Sequence, residues 1–279
     1  MTETQQPKEH SRELSTGTYL NRIGLSETAV GSADNDTLTR LQRAHVMSVP
    51  FETFSINGDP FSDRPAGGVS LSLPDLYDKI VGRRRGGFCF ELNGLFGWLL
   101  AELGFEVTRL SARMVNAIEL PANHHPLLVT LDTDYLVDVG MGSPMLREPL
   151  ELGTAAEPDQ AGVRWRVDES NRPDVDWVLR YREPDADWKD RYVFDTTPRS
   201  LDYFTATCEY LQTAPESGFT GSPVVTLAAP DGHKKLKPDQ FTVTTGSDTT
   251  ESVVTGETFH QLLREEFEIS FPEDQAEPL

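Results

Sequence analysis

The stretch RRRGGFCFELNGLFGWLL, residues 83–100, decides how the rest of the chain is read. Three arginines and two glycines lead into Cys89, and a long apolar run follows. Phe88, Leu92, Leu95, Phe96, Leu99, Leu100 and Leu103 fall at i, i+4, i+7, i+8, i+11, i+12 and i+15, the spacing of one helix face, and Gly104 is a natural stop. The spacing predicts an amphipathic helix with Cys89 in its first turn. A thiol there sees the positive end of the helix dipole and unpaired N–H groups, which lower its pKa and sharpen it as a nucleophile. The glycine pair lets the backbone bend tightly before it, and the arginines add local positive charge. The plainer alternative is a small buried hydrophobe, the usual state of a free cysteine. The only other cysteine, Cys208 in FTATCEYLQ, has no glycine turn or basic run beside it and reads as a packing residue.

A thiolate nucleophile needs a base, and the base needs an orienting acceptor. Of the six histidines, His10 lies in a polar tail, His45 on a helix as a packing residue, His233 in a DGHKK turn that reads as solvated, and His260 on the closing helix. Only His124 and His125 enter a strand, HHPLLVTL; the next strand, YLVDVGM, carries one acid, Asp138, in an apolar run. A carboxylate in that position is costly unless partnered, and an adjacent-strand histidine is the obvious partner. If DTD (132–134) is a three-residue loop, Leu131 faces Tyr135, and Asp138 faces Leu128 and shares a face with His124. A two-residue loop selects His125 instead, and the pattern leaves both open. No metal is expected, because no pair has short ligand spacing such as CxxC or HxxxH.

Outward from the nucleophile stretch, residues 1–18 read as a disordered tail and helical patterns begin at Tyr19. DTLTRLQRAHVMSV is a helix with Asp36 or Thr37 as its cap, and SLSLPDLYDKIV a second, with Ser72 ahead of Pro74. After Gly104 the period changes: EVTRLSARMV, HPLLVTL, YLVDVGM, VRWRV, WVLRYRE and RYVFD read as strands. YFTATCEYLQT is helical or irregular, PVVTLAAPDGHKKL and QFTVTTG are strands, and TGETFHQLLREEFEI is a closing helix. The expected class is α+β, with a helical part over 19–104, a β part over 105–204 and a mixed part over 205–279.

The 279 residues carry 45 acidic against 25 basic side chains, a net charge of −20, and 19 of the basic residues are Arg. Such an excess repels phosphates and anionic membrane surfaces, so neither nucleic acid nor membrane is an expected partner. Dispersed acid with little Lys suggests a surface adapted to high salt. Two cysteines are too few for a secreted disulfide scaffold, the N-terminus lacks the apolar core of a signal peptide, and no run approaches a membrane span, so a cytoplasmic location is expected.

Taken together, these residues resemble the arylamine N-acetyltransferase family over roughly 19–270. YLNRIGL and LQRAHVMSVPFETFSI resemble its N-terminal signature, RGGFCFELNGLF its nucleophile motif, and HPLLV with YLVDVGMG its base and acid strands; PESGF and ETFHQLLREEFEI resemble its lid. The family pattern places the base five residues before Val129, which selects His124. The resemblance implies a helical domain, a central β-barrel and an α/β lid around a cysteine-protease-like core. It implies Cys89 as nucleophile, His124 as base and Asp138 as orienter in ping-pong acetyl transfer from acetyl-CoA to an arylamine or hydrazine. It further implies an acceptor pocket bordered by Met141, Phe88, Ser217 and Phe219, and an Arg85–Glu52 pair bracing the nucleophile loop. Met141 stands where the family usually has an aromatic, and Ser143 where a further glycine is common. A cysteine hydrolase built on the same three residues is the rival reading.

Overall fold

The computed structural model describes residues 14–63, 65–117 and 119–271. Residues 1–13, with His10, and 272–279 lie outside that range. The chain enters a helix earlier than the apolar pattern suggests. The Ser15 hydroxyl accepts the Thr18 N–H at 3.2 Å, and α1 runs Thr16–Arg22. The second helix, α2 (Asn35–Ser48), is capped neither by Asp36 nor by Thr37 but by Asp34, whose carboxylate accepts the Thr37 N–H at 2.9 Å. An extended residue with an acceptor three positions ahead of that N–H is what the cap requires. A two-residue strand β1 (Phe51–Glu52) and a single turn α3 (Phe54–Asn57) follow. Ser72 caps α4 (Leu73–Tyr77), with Pro74 in its first turn, and the helix widens into a π turn over Asp78–Gly82.

The helix α5 (Cys89–Glu102) is the axis of the fold. It is not the one-faced helix that the leucine spacing predicts. Every residue from Cys89 to Gly97 is buried, as are Leu99 and Leu100. A helix apolar on all sides is buried on all sides: α1, α2 and α4 pack on it from one direction, and Leu127, Val129, Val137 and Val139 of the following strands close the other, in one contiguous core. Gly104 ends it at φ +89, a backbone that strains any residue but glycine.

Among the described residues the β part has nine strands: β2 (Glu106–Arg109), β3 (Ala112–Met114), β4 (Leu127–Thr130), β5 (Asp134–Val137), β6 (Leu150–Glu151), β7 (Asp159–Gln160), β8 (Val163–Glu169), β9 (Trp177–Arg182) and β10 (Lys189–Phe194). The expected closed barrel is not what they build. They form two open antiparallel sheets, β2-β4-β5-β6 and β3-β10-β9-β8-β7. One isolated bridge between Ala112 and His124 joins them at a corner. The far edges, β6 and β7, are only two residues long and do not pair with each other, so the ladder stays open. Apolar packing joins the sheets instead, with Leu110, Leu128, Leu136, Leu150, Trp165, Leu179, Tyr192 and Phe194 in a second core.

The remainder comprises α6 (Thr205–Thr213), β11 (Val225–Ala229), β12 (Gly232–Leu236), β13 (Gln240–Thr245), β14 (Asp248–Val253) and α7 (Gly256–Phe267). Residues 205–213 are thus regular helix. The polar strand β14, DTTESV, has no apolar alternation and is invisible to a hydrophobic pattern. These four strands form one meander whose free edge is taken by β1, with Phe51 opposite Thr226 and Glu52 opposite Val225. His233, expected in a solvated turn, is a half-buried strand residue facing Thr244, and burial lowers its pKa.

Candidate active site

The glycines before Cys89 are there for room, not for a tight bend. A Cβ on Gly86 would stand 2.0 Å from the Pro50 carbonyl oxygen, and one on Gly87 2.9 Å from the Glu91 Cβ. Neither glycine adopts positive φ; that role falls to Arg84, at φ 54. Their bareness lets the segment lie against β1: the Glu52 N–H donates to the Gly87 carbonyl at 2.9 Å and the Gly87 N–H to the Pro50 carbonyl at 3.3 Å. Phe88, in extended backbone, then turns the chain into α5, its N–H donating to the Glu91 carboxylate at 3.1 Å.

The three arginines give the thiol no positive field of their own, because each is turned into an ion pair. Arg83 pairs with Asp78 at 2.9 Å, Arg84 with Glu268 at 2.6 Å, and Arg85 with Glu52 at 2.9 Å. Glu52 and Arg85 belong to a buried four-residue chain: Lys79 on the π turn lies 3.7 Å from Glu52 and 2.7 Å from Glu91. Two cations and two carboxylates thereby tie β1, the π turn, the glycine segment and the start of α5 together.

Cys89 is 2% exposed. The helix position was expected to lower its pKa, but burial pushes the thiol up, the neighbouring Cys208 and the Asp138 carboxylate push the same way, and the Phe90 N–H only partly opposes them. Cys208 is also buried, in the same apolar cluster as Phe88, Cys89 and Phe90, and burial raises its thiol to about 12.

The β4–β5 hairpin places one histidine beside Asp138. Thr130 faces Asp134 and Leu128 faces Leu136, so the three-residue loop is 131–133 rather than 132–134. The pairing differs from the expected one by two residues, and an even shift keeps every side chain on its face. His124 remains on the side of Asp138, with Nε2 2.6 Å from the Asp138 Oδ2. His125 points the other way, fully buried and stacked on Phe204 at 4.6 Å between centroids. Burial lowers its pKa to about 3.

Asp138 is 1% exposed and fully engaged. Its Oδ1 accepts from the Asn93 side-chain amide at 2.9 Å and from the Gly140 N–H at 2.9 Å. Burial alone would raise its pKa; the charge interaction with His124 and the hydrogen bonds from His124, Asn93 and Gly140 outweigh that and hold the carboxyl below its ordinary range. Asn93 lies one turn after Cys89 on α5, and its carbonyl oxygen accepts the Val139 N–H at 2.9 Å. Gly140 brings the two halves into contact: a Cβ there would stand 2.7 Å from the Cys89 Cα. The Tyr192 ring lies on His124 at 5.0 Å. Asn93, Gly140 and Tyr192 escaped the sequence reading. The one signal for Asn93 was a carboxamide four residues after Cys89 in an otherwise apolar helix.

The four expected pocket residues part company. Phe88 and Phe219 meet edge-to-face at 5.7 Å. Ser217 is turned to its own backbone, its hydroxyl donating to the Leu211 carbonyl at 2.6 Å. Met141 is 6% exposed within the second core, and its carbonyl oxygen accepts from Arg191 at 2.8 Å.

A buried thiol at a helix start, packed against a loop that fixes a His–Asp pair, is a side-chain set suited to acyl transfer through a thioester. The chain belongs to the arylamine N-acetyltransferase family: residues 34–276 match the model of that N-acetyltransferase family. It is 35% identical to the arylamine N-acetyltransferase of Mycolicibacterium smegmatis, over 80% of each chain. It is 31% identical to arylamine N-acetyltransferase 1 of Homo sapiens, over 77% of this chain and 78% of that one. Among solved structures it superimposes on the M. smegmatis enzyme with a TM-score of 0.81 at 31% identity, covering 95% of each chain. Against the Mycobacterium marinum enzyme in complex with CoA the TM-score is 0.78 at 31% identity, covering 91% of this chain and 93% of that one.

Proposed function

We propose that the protein transfers acetyl groups from acetyl-CoA to arylamines or hydrazines by a ping-pong route through an acetyl-cysteine at Cys89. The observation that carries this is the 2.6 Å contact of His124 Nε2 with Asp138, on a loop that packs against Cys89 through Gly140. With Nε2 committed to the carboxylate, Nδ1 is the imidazole nitrogen left to take the thiol proton. Burial disfavours a free thiolate, so the nucleophile forms as a thiolate–imidazolium pair, with Asp138 stabilising the cation.

The Cys89 sulfur attacks the thioester carbonyl, the tetrahedral intermediate collapses, and CoA leaves as its thiol with the proton held by His124. The acceptor nitrogen then attacks the acetyl-cysteine, His124 takes a proton from it, and the C–S bond breaks to release the amide and restore the thiol. Phe88 and Phe219 are the aromatic walls of the proposed acceptor site, and Met141, at the end of the acid loop, borders it in the same reading. A thiol-protease-like core and a division at 19–104, 105–204 and 205–279 belong to the same reading, with the apolar clusters bridging those boundaries, since Cys89, Ala122 and Cys208 share one cluster. Acetyl-CoA without amine is expected to add one acetyl mass to Cys89, and an aniline then to remove it as the acetylated amine appears. An unmodified protein after that incubation would sink the reading, and release of acetate with no amide under any acceptor would favour a hydrolase.

A further inference from the structure

We propose that Arg191 binds a carboxylate on the acceptor, so that the favoured acceptors are aromatic amines bearing an acid group; this deepens the acetyl-transfer reading and rests on it. Arg191 is the extra residue of a bulge in β10, where the pairing with β9 slips between Asp190 and Tyr192. A bulge re-aims the side chain it carries. Its neighbours keep their ordinary directions: Asp190 goes outward to Arg180 at 2.6 Å, and Tyr192 goes inward beneath His124. Arg191 is turned to the end of the acid loop, where its Nη2 donates to the Met141 carbonyl, three residues past Asp138.

Apart from that bond, the guanidinium lies over the Tyr181 ring, with Cζ 5.8 Å from its centroid. Its Nε is buried with no partner, and among the described residues no carboxylate lies within ion-pair distance. On the adjacent strands Arg166 pairs with Glu157 and Asp168, and Arg180 with Asp168 and Asp190. A half-buried cation left without a counter-ion is costly, and a planar carboxylate is the group that a guanidinium fork matches best. The place suits the acceptor rather than the donor. The phosphates of CoA are separated from its thioester by the whole pantetheine arm, whereas the far edge of an aniline lies one ring away from its nitrogen.

The test compares 4-aminobenzoate with 4-aminobenzamide as acceptors for the wild type, Arg191→Gln and Arg191→Lys, each with acetyl-CoA and with 4-nitrophenyl acetate as donor. The wild type is expected to prefer the acid, and Arg191→Gln to lower the acid-to-amide ratio of kcat/KM roughly 10- to 100-fold, mainly through KM, as loss of a hydrogen bond to a charged group implies. Arg191→Lys is expected to keep part of the preference and serves if the Gln variant does not fold. Equal losses for acid and amide would reduce Arg191 to a holder of the Met141 loop and overturn the proposal. A loss seen with acetyl-CoA but not with the aryl ester would assign the anion to CoA and overturn it as well. If the wild type acetylates neither amine, nor aniline, nor a hydrazine, the acetyl-transfer reading fails on its own. Calorimetric titration then decides: tighter binding of the acid, lost in Arg191→Gln, supports carboxylate recognition, and equal binding of acid and amide refutes it.

Discussion

Asn93 uses both ends of its amide, one to hold the Asp138 carboxylate and the other to hold the backbone next to it. Removing the side chain leaves a buried carboxylate short of a donor. Asn93→Ala should therefore cost about 1.5–3 kcal/mol at the transition state, a fall in kcat/KM of roughly 10- to 100-fold. Its pH–rate profile should shift, since the carboxyl loses one of the contacts that keep it ionised; an unchanged rate and profile would remove Asn93 from the machinery. The two cysteines separate on the same scale. Cys89→Ala should abolish both the acetyl adduct and turnover, whereas Cys208→Ala should retain both, because Cys208 contributes only packing beside the nucleophile. Mass spectrometry of the acetyl-CoA-treated variants distinguishes them. The histidines divide likewise: His124→Ala should slow acetylation far more than His125→Ala, whose ring turns away to Phe204.

At the level of elements, the start of α5 is held by charge where its own sequence offers no polar cap. Phe88 cannot cap a helix, so Glu91 reaches back to the Phe88 N–H, Lys79 neutralises Glu91, and Glu52 completes the chain with Arg85. Three of these side chains are nearly inaccessible to water, with Glu52 1% exposed, Glu91 2% and Lys79 6%. Glu52→Ala would strand Arg85 and leave Lys79 to Glu91 alone, and should lower stability by about 3–5 kcal/mol. Thermal unfolding measures it, and a fully stable variant would show that the network does not brace the loop. Gly86→Ala should be at least as damaging, because the new methyl would meet the backbone of β1 rather than a side chain that can move.

For the whole molecule two terms set the response to solvent. His45 and His125 are completely buried, and burial lowers the pKa of each from an ordinary 6.5 to about 3. Between those pH values the unfolded chain binds a proton at each site and the folded chain does not. Stability is therefore complete above about pH 6.5 and falls as the pH drops toward 3. His45→Phe, in a site flanked by Tyr19 and Phe96, should flatten that decline; an equally steep loss in the variant would refute the assignment. The net charge of −20 acts in the other direction with salt. Self-repulsion is screened as ionic strength rises, so the unfolding midpoint should be higher in molar KCl than at low salt, and a midpoint that falls or stays level would count against a salt-adapted surface.

What the sequence determined by itself was whatever a local period or a short motif can encode. The helix that starts at Cys89 was legible, as were the strand character of HPLLVTL and YLVDVGM, the closing helix, and the pairing of a histidine with Asp138, with His124 and His125 left as alternatives. The three-residue alternative kept its faces despite a misplaced loop because strand side chains alternate with period two. Tertiary structure decided the rest. The partners of Arg84 and Arg85, the β1 strand that completes a sheet some 170 residues away, and the Gly140 approach to Cys89 all join segments far apart in the chain, and the open edges at β6 and β7 follow from how the two sheets pack. The thiol pKa followed the same rule. A helix terminus visible in the sequence predicted a lowered value, whereas the burial that only the packed fold imposes pushes the thiol up, against the single opposing hydrogen bond from the Phe90 N–H.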